Sequence, residues 1–165
     1  MKDLVSGCVA LALLCLMCVL GYQLIQKKKS DIETEYETIL NTLNEETLAF
    51  FTRDYDQWAD KWVHEPYVTK SYMIFTDSTV SETLGWAAIR SFGKNYIQMH
   101  PEPEPVPDLL DEIEIRLYDK GAWVSFEQYD SLRGLKRETR LMEKHGGQWK
   151  IVRMHTTIYG FPDGE

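Results

Sequence analysis

Apolar residues dominate positions 4–25, where the chain carries no charged side chain, and a lysine triplet follows at 27–29. A helix rising about 1.5 Å per residue would cross the roughly 30 Å hydrocarbon layer of a bilayer with this many residues. We therefore expect a single-pass N-terminal membrane anchor, with the side of the membrane left open. The alternative is a signal peptide cleaved after Gly21, which would give a secreted or periplasmic protein.

Helical spacing of apolar residues marks the next segment. Ser30 and Glu33 form a capping-box pattern, which predicts that a helix begins here and runs to about Phe51. Trp58 and Trp62 are four positions apart and would share one face of a second, shorter helix. The apolar stripe of the first helix consists of Ile32, Tyr36, Ile39, Leu43 and Phe50.

Strand-like patterns occupy most of the remaining chain. Residues 67–76 are rich in aromatic and β-branched types and predict a strand, and residues 77–83 form a polar loop. A third helix opens near Trp86, and a proline-rich connector follows at 101–107. From 113 to 158, four strands separated by short turns predict an antiparallel meander. The order of elements therefore predicts an α+β fold.

Three local motifs carry a resemblance to a known family. They are Ala-Phe-Phe-Thr-Arg-Asp-Tyr-Asp-Gln-Trp at 49–58, Gly-Trp-Ala-Ala-Ile at 85–89 and Gly-Gly-Gln-Trp-Lys-Ile-Val at 146–152. With the order of elements, they resemble the SnoaL-like proteins of the nuclear transport factor 2-like superfamily. The resemblance covers about residues 32–160.

The resemblance implies a fold and leaves the function open. It implies a cone-shaped barrel with a long N-terminal helix, two further helices and a strongly bent, mainly antiparallel sheet around a pocket. We expect residues 1–30 to be the anchor or signal segment and residues 31–165 to be the SnoaL-like domain. Many members pair through their sheets, so a homodimer is expected. Because members include isomerases, dehydratases and binding modules, the fold alone does not choose an activity.

Charge and cysteine content narrow the function classes. Four lysines and one aspartate give residues 1–30 a net charge of +3. Because the whole chain has a net charge of −8, residues 31–165 carry a net charge of −11. Such an acidic domain would repel a phosphate backbone, so nucleic acid is not an expected partner. All three cysteines lie in the apolar segment, and the four histidines lack metal-ligand spacing. We therefore expect neither a metal site nor a cofactor.

Candidate catalytic residues follow from the chemistry of the superfamily, whose enzymes use a carboxylate or histidine base in the pocket. His155 shares strand parity with Trp149 and Ile151, which predicts an inward position where it could act as a general base. A hydrogen-bonded core or rim histidine is the commoner alternative. Glu127 and Tyr129 could be its acid–base partners, or they could lie on a solvated or dimer-facing surface.

Candidate ligand-binding residues are aromatic, with one arginine. Arg140 could clamp an anionic ligand, although a cross-strand ion pair with Glu127 or Glu138 is the interpretation we favour. Aromatic side chains line apolar pockets, but they also fill cores. The aromatic candidates are Trp58, Trp62, Tyr67 and Trp86.

Three functions remain open on these grounds. The first is a membrane-tethered domain that binds a small, partly apolar ligand and has no assignable chemistry. The second is a lyase or isomerase with His155 as base. The third is a dimeric protein-interaction or assembly module. The inward or outward position of the candidate side chains separates them.

Overall fold

The structure is a computed structural model that describes residues 2–75, 77–108, 110 and 113–161, with side chains described from residue 15 onward. The chain separates into two compact units, one ending at Glu37 and one beginning at Thr38. Three helices and six strands are present in the described part of the chain. They are α1 (Lys2–Phe51), α2 (Tyr55–Asp60), α3 (Trp86–Met99), β1 (Thr69–Ile74), β2 (Thr79–Leu84), β3 (Glu114–Leu117), β4 (Gly121–Asp130), β5 (Gly134–His145) and β6 (Gln148–Gly160).

The first unit consists of the N-terminal part of helix α1. Ser30 is an interior residue of this helix, so the expected helix start at Ser30 is wrong. Where side chains are described, we find no helical stretch that is both long and apolar enough for a membrane span. Residues 4–14 of the predicted anchor lie outside the described side chains, and the anchor stays a prediction.

The second unit contains one six-stranded sheet with the strand order β2-β1-β6-β5-β4-β3. Neighbouring strands are antiparallel, except that β1 and β6 run parallel. The last four strands, β3 to β6, form the predicted antiparallel meander, since their turns are too short for a parallel return. This α+β architecture with a mainly antiparallel sheet confirms the predicted fold class.

Strand β2 occupies the segment that was expected to be a polar loop. It pairs with β1 along its whole length, from Thr79 opposite Ile74 to Leu84 opposite Thr69. The strand is at the sheet edge and almost entirely exposed, so its sequence shows no alternation of apolar and polar residues. Tertiary pairing with β1 therefore decided an element that the local pattern did not reveal.

A β-bulge in β6 reverses the expected orientation of its side chains. Ile151 pairs with Met142 and Arg153 pairs with Leu141, which leaves Val152 as an extra residue without a partner on β5. Both Ile151 and Val152 are buried. Every later side chain in β6 consequently points to the face opposite to that predicted from Trp149.

Helix α3 packs closely on α2 because it carries a glycine at the contact. A Cβ atom on Gly93 would lie only 2.4 Å from the indole ring of Trp58. Trp58 is almost completely buried and stacks on Trp86 at a centroid distance of 6.1 Å. This contact fixes the position of the Trp58 ring beside the inner face of the sheet.

Candidate functional site

A cavity of about 190 Å³ lies between the helices and the inner face of the sheet, within the second unit, and it is partly open to solvent. Aromatic rings and charged side chains both contribute to its wall. The lining residues are Glu46, Thr47, Phe50, Phe51, Trp58, Lys70, Tyr72, Ile74, Phe92, Tyr96, Asp130, Arg133, Lys136, Glu138, Arg140, Met154, Thr156 and Ile158.

The floor of the cavity is set by the register of three neighbouring strands. Met154 of β6 is paired on one side with Lys70 of β1 and on the other with Arg140 of β5. Strands in a sheet lie about 5 Å apart, so the backbones of Lys70 and Arg140 are roughly 10 Å apart on the same face. Two residues further along β6, on the same face, Thr156 is paired with Tyr72 of β1 and with Glu138 of β5.

Glu46 of α1 is the centre of a buried hydrogen-bond network. Its Oε1 atom accepts hydrogen bonds from the indole Nε1 of Trp58 at 2.8 Å and of Trp62 at 3.3 Å. Its Oε2 atom lies 3.4 Å from Nη2 of Arg140. The residue is only 4% exposed, so this carboxylate depends on these three donors instead of water.

Glu138 completes the network on β5. Its Oε2 atom accepts a hydrogen bond from Nη2 of Arg140, and its Oε1 atom lies 2.9 Å from Nζ of Lys136. Burial alone would raise the pKa of the Glu138 carboxyl, but the charges of Arg140 and Lys136 outweigh burial and lower it. Burial likewise opposes the charge on Arg140, and Glu138 and Glu46 more than offset it and raise the pKa of the guanidinium. Both groups are therefore charged at neutral pH.

Three side chains of the cavity wall have buried polar atoms without a hydrogen-bond partner among the described residues. These atoms are Nζ of Lys70, Nε and Nη1 of Arg140, and Oγ1 of Thr156. The three residues are 3%, 2% and 1% exposed, respectively. An unpaired buried donor costs about 1–3 kcal/mol, more when it is charged, so each such group needs an explanation.

Lys70 has an unusual environment for a lysine. Its Nζ atom lies 3.5 Å from the ring centroid of Phe92 and 4.5 Å from that of Tyr72. Burial lowers the pKa of the Lys70 amine to about 7, while Glu46 acts in the opposite direction and Arg140 lowers it further. The Lys70 amine therefore loses its proton far more readily than an ordinary exposed lysine does.

Arg133 also lines the cavity, but it differs from Lys70 and Arg140 because its guanidinium donates hydrogen bonds to carboxylates. Its guanidinium donates to Asp130 at 2.8 Å and to Glu104 at 2.7 Å. Burial would raise the pKa of the Glu104 carboxyl, but hydrogen bonds from Arg133, Tyr96 and Arg53 lower it to about 2. The charged groups of this cluster are therefore paired with one another, and through Glu104 they hold the proline-rich connector against the rest of the domain.

The free polar groups of the cavity are thus mainly donors. The carboxylates of Glu46, Glu138 and Asp130 already accept from neighbouring cations or N–H groups. Throughout the described ranges, no group of three His, Cys, Asp or Glu side chains has an arrangement suited to a metal ion. The arrangement can therefore receive an acceptor, such as an anionic or carbonyl oxygen.

Two of the five predicted ligand-binding residues line the cavity, namely Trp58 and Arg140. Trp62 is buried behind Trp58, at a centroid distance of 6.0 Å. Trp86 lies outside the lining and stacks on a histidine of the α2–β1 connection. Tyr67 is 54% exposed and donates a hydrogen bond to a glutamate of β5 instead. Arg140 forms the favoured ion pair with Glu138, although this glutamate lies on the same strand and the expected cross-strand geometry is wrong; Arg140 also keeps two donor atoms free.

His155 lies on the outer face of the sheet, so its predicted inward position is wrong. The bulge at Val152 places Met154 and Thr156 toward the cavity and His155 away from it. The His155 ring is half-buried, with Nδ1 2.8 Å from Oγ of Ser71. A role for His155 as a base acting in the cavity has no geometric support.

Glu127 and Tyr129 also lie on the outer face of the sheet. Glu127 forms an exposed ion pair with Arg137 at 2.7 Å, and Tyr129 is 54% exposed. Their inner neighbour Gln128 is buried, as strand alternation requires. An inward acid–base pair is therefore ruled out for these residues, whereas the alternative of an outward surface agrees with their position. The homodimer stays a prediction.

Sequence reasoning missed Glu46 and Lys70, although both had a signal. Glu46 falls between Leu43 and Phe50 on the apolar stripe of the first helix, at spacings of three and four residues. Lys70 shares parity with Tyr72 in the predicted first strand. A charged residue at an otherwise apolar, inward-facing position is the pattern that could have identified each of them.

Comparisons with known proteins agree on the fold. The sequence matches no protein-family model, and no curated protein shows significant similarity to it. A nuclear transport factor 2-like protein of unknown function from Pseudomonas putida KT2440 aligns with a TM-score of 0.60 and 15% identity, over 82% of this chain and 97% of that one.

Two further solved structures are similar to the same degree. A cystatin-like fold protein from Burkholderia xenovorans LB400 aligns with a TM-score of 0.58 and 20% identity, over 76% of this chain and 92% of that one. A nuclear transport factor 2-like protein with a cystatin-like fold from Novosphingobium aromaticivorans gives a TM-score of 0.58 and 13% identity, over 83% and 88%. The chain thus has the nuclear transport factor 2-like fold that the resemblance predicted. At such identities the likeness shows the fold alone.

Proposed function

We propose that the domain binds a small, partly apolar anion in its cavity, with a carboxylate as the simplest anionic group. The observation that supports this most directly is the set of unpaired donors on Lys70 and Arg140. Charged donors buried without partners destabilise a fold, and an anionic ligand would supply the missing acceptors. The existing carboxylates do not fill this role, because Glu46 and Glu138 both approach Nη2 of Arg140 and leave its Nε and Nη1 free.

The walls of the cavity support a ligand with an apolar body. Phe50, Trp58, Phe92 and Tyr96 surround the space above the strand floor. Ligand sites are commonly apolar and aromatic, with a few polar groups that fix the orientation of the ligand. A volume of about 190 Å³ suits a ligand the size of a single substituted ring.

A matched series of one-ring compounds tests the proposal. Benzoate, benzamide and benzylamine share a ring and differ in charge. We expect benzoate to bind best in isothermal titration calorimetry, because its carboxylate can accept from Lys70 and Arg140. We expect Lys70→Met to weaken benzoate binding at least about tenfold, since a hydrogen bond to a charged group contributes about 1.5–3 kcal/mol.

The control is Arg137→Met. Arg137 is next to the cavity-lining residues of β5 but points to the outer face, so its loss should leave benzoate affinity unchanged. Equal affinity for benzoate and benzylamine would contradict the proposal. So would an undiminished affinity of the Lys70→Met protein for benzoate.

We further propose that residues 4–25 hold this domain at a membrane, on the strength of the uncharged apolar sequence and the lysine triplet after it. The full chain should then remain in the membrane pellet after a wash with alkaline carbonate. Replacing Leu13 and Leu16 together by lysine should release it, because each charge at a helix centre costs about 2.5–3.5 kcal/mol on insertion. If the unaltered chain appeared in the soluble fraction, the anchor would be refuted. If intact mass spectrometry showed that the mature chain begins after Gly21, the cleaved signal peptide would be favoured.

A further inference from the structure

The amine of Lys70 differs from the other free donors of the cavity because it can also act as a nucleophile. It is 3% exposed, has no hydrogen-bond partner among the described residues and faces the cavity. An amine that is hydrogen-bonded to a carboxylate remains an ammonium group, whereas an amine surrounded by apolar rings loses its proton more easily. Nucleophilic lysines are activated by this kind of desolvation beside another cation.

The charged groups around Lys70 come from two elements. Glu46 of α1 favours the ammonium form, as does Glu138 of β5 at longer range, while Arg140 of β5 opposes it. The remaining neighbours are aromatic, with Phe92 of α3 and Tyr72 of β1 placing ring faces against Nζ. Burial outweighs the two carboxylates, which leaves an uncharged fraction of the amine at neutral pH.

We propose that Lys70 forms an imine with ligands that carry an aldehyde or ketone group in addition to their anionic group. The uncharged Nζ attacks the carbonyl carbon and the carbonyl π electrons move to oxygen. A proton then passes from nitrogen to that oxygen, which gives a carbinolamine. The hydroxyl group leaves with the second N–H proton as water, and the nitrogen lone pair forms the C=N bond. Amine and carbonyl are converted to imine and water without any change of oxidation state, so no further reactant is required.

The site has the groups to hold such an adduct. The free Nε and Nη1 of Arg140 lie on the same sheet face, roughly 10 Å away at the backbone, and can fix the anionic end of the ligand. A protonated imine places its positive charge where the ammonium was, above the rings of Phe92 and Tyr72. This inference rests on the proposed function, because the same cavity has to accept the anionic group.

Reductive trapping tests the inference on the full chain. The protein is incubated at pH 7 with 4-formylbenzoate and cyanoborohydride, which reduces an imine to a stable secondary amine. We expect one carboxybenzyl group per chain in the intact mass, and peptide mapping should place it on Lys70. Labelling of Lys70 should exceed that of each exposed lysine at least tenfold, and an excess of benzoate should suppress it.

Lys94 provides the matched control. Its Nζ also lies over an aromatic ring, 5.1 Å from the centroid of Tyr55, but the residue is exposed. Lys94→Met should retain the adduct, and Lys70→Met should lose it. Peptide mapping of the unaltered chain identifies the modified lysine independently of how either variant folds.

The outcomes separate this inference from the proposed function. Benzoate binding without preferential labelling of Lys70 would overturn the imine and leave the anion site intact. In another outcome, benzaldehyde labels Lys70 as strongly as 4-formylbenzoate does, with no suppression by benzoate. That result would uphold the amine chemistry and overturn the anion site. Absence of both would overturn both.

Discussion

Replacing Glu46 by glutamine is expected to lower the free energy of unfolding by about 3 kcal/mol, because it removes one charge from a buried network. The amide can still accept from the indoles of Trp58 and Trp62, but it no longer offers a carboxylate oxygen to Arg140. Arg140 would keep Glu138 as its only carboxylate partner among the described residues. Guanidinium unfolding of the full chain, followed by tryptophan fluorescence, measures the loss.

Glu45→Gln is the matched control for this prediction. Glu45 is the preceding residue on α1, and its side chain is 56% exposed while it pairs with Lys61 at 2.6 Å. Exposed ion pairs contribute about 0–1 kcal/mol, so this variant should remain close to the unaltered protein. Equal destabilisation by the two substitutions would show that the buried network is not the source of the effect.

Replacing Lys70 by methionine is expected to stabilise the fold at pH 7 by at least about 1 kcal/mol and to weaken ligand binding at the same time. The reason is that a buried cation without a hydrogen-bond partner is exchanged for an apolar side chain of similar length. Binding sites often carry groups that reduce stability in the absence of their ligand. Thermal unfolding of both proteins in the same buffer gives the difference.

The pH dependence of stability provides a second measurement on this variant. The pKa of Lys70 is about 7 in the folded protein, and a lysine in an unfolded chain has a pKa of about 10.4. Between these values the unfolded state binds more protons, so Lys70 makes the fold more stable as the pH rises. This gain is about 2 kcal/mol between pH 7 and 9 and should be missing from Lys70→Met.

The control for the pH dependence is a second lysine-to-methionine variant. Lys94 is an exposed lysine, and Lys94→Met should keep the pH-dependent gain of the unaltered protein. The groups that face Lys70, namely Glu46, Glu138 and Arg140, are unchanged in either variant. If the unaltered protein and Lys70→Met showed the same stability difference between pH 7 and 9, Lys70 would not be a buried cation in the folded state.

The first strand and its neighbour show how far local pattern carries. β-Branched and aromatic residues predicted a strand at 67–76, and the structure has β1 within that range. Strand β2 has the polar, exposed sequence of an edge strand and was expected to be a loop. An edge strand has no buried face to give it alternation, so only its pairing with β1 identifies it.

The candidate site shows a different limit. Arg140 and Trp58 were identified because an arginine or an aromatic residue at an inward position is conspicuous in the sequence. His155 was assigned to the wrong face, since parity was counted from Trp149 through a bulge that no sequence signal marked. One extra residue reverses every later side chain in a strand, so the error affected all of the second half of β6.

The sequence by itself determined the type of fold and every strand except β2, because helical spacing, strand alternation and short turns are local properties of the chain. Only the tertiary structure decided which charges meet. Glu46, Lys70 and Arg140 come from three elements far apart in the chain, and their contacts depend on strand register and on the packing of α1 over the sheet. The lowered pKa of the Lys70 amine follows from burial, which the chain acquires only when these elements pack together.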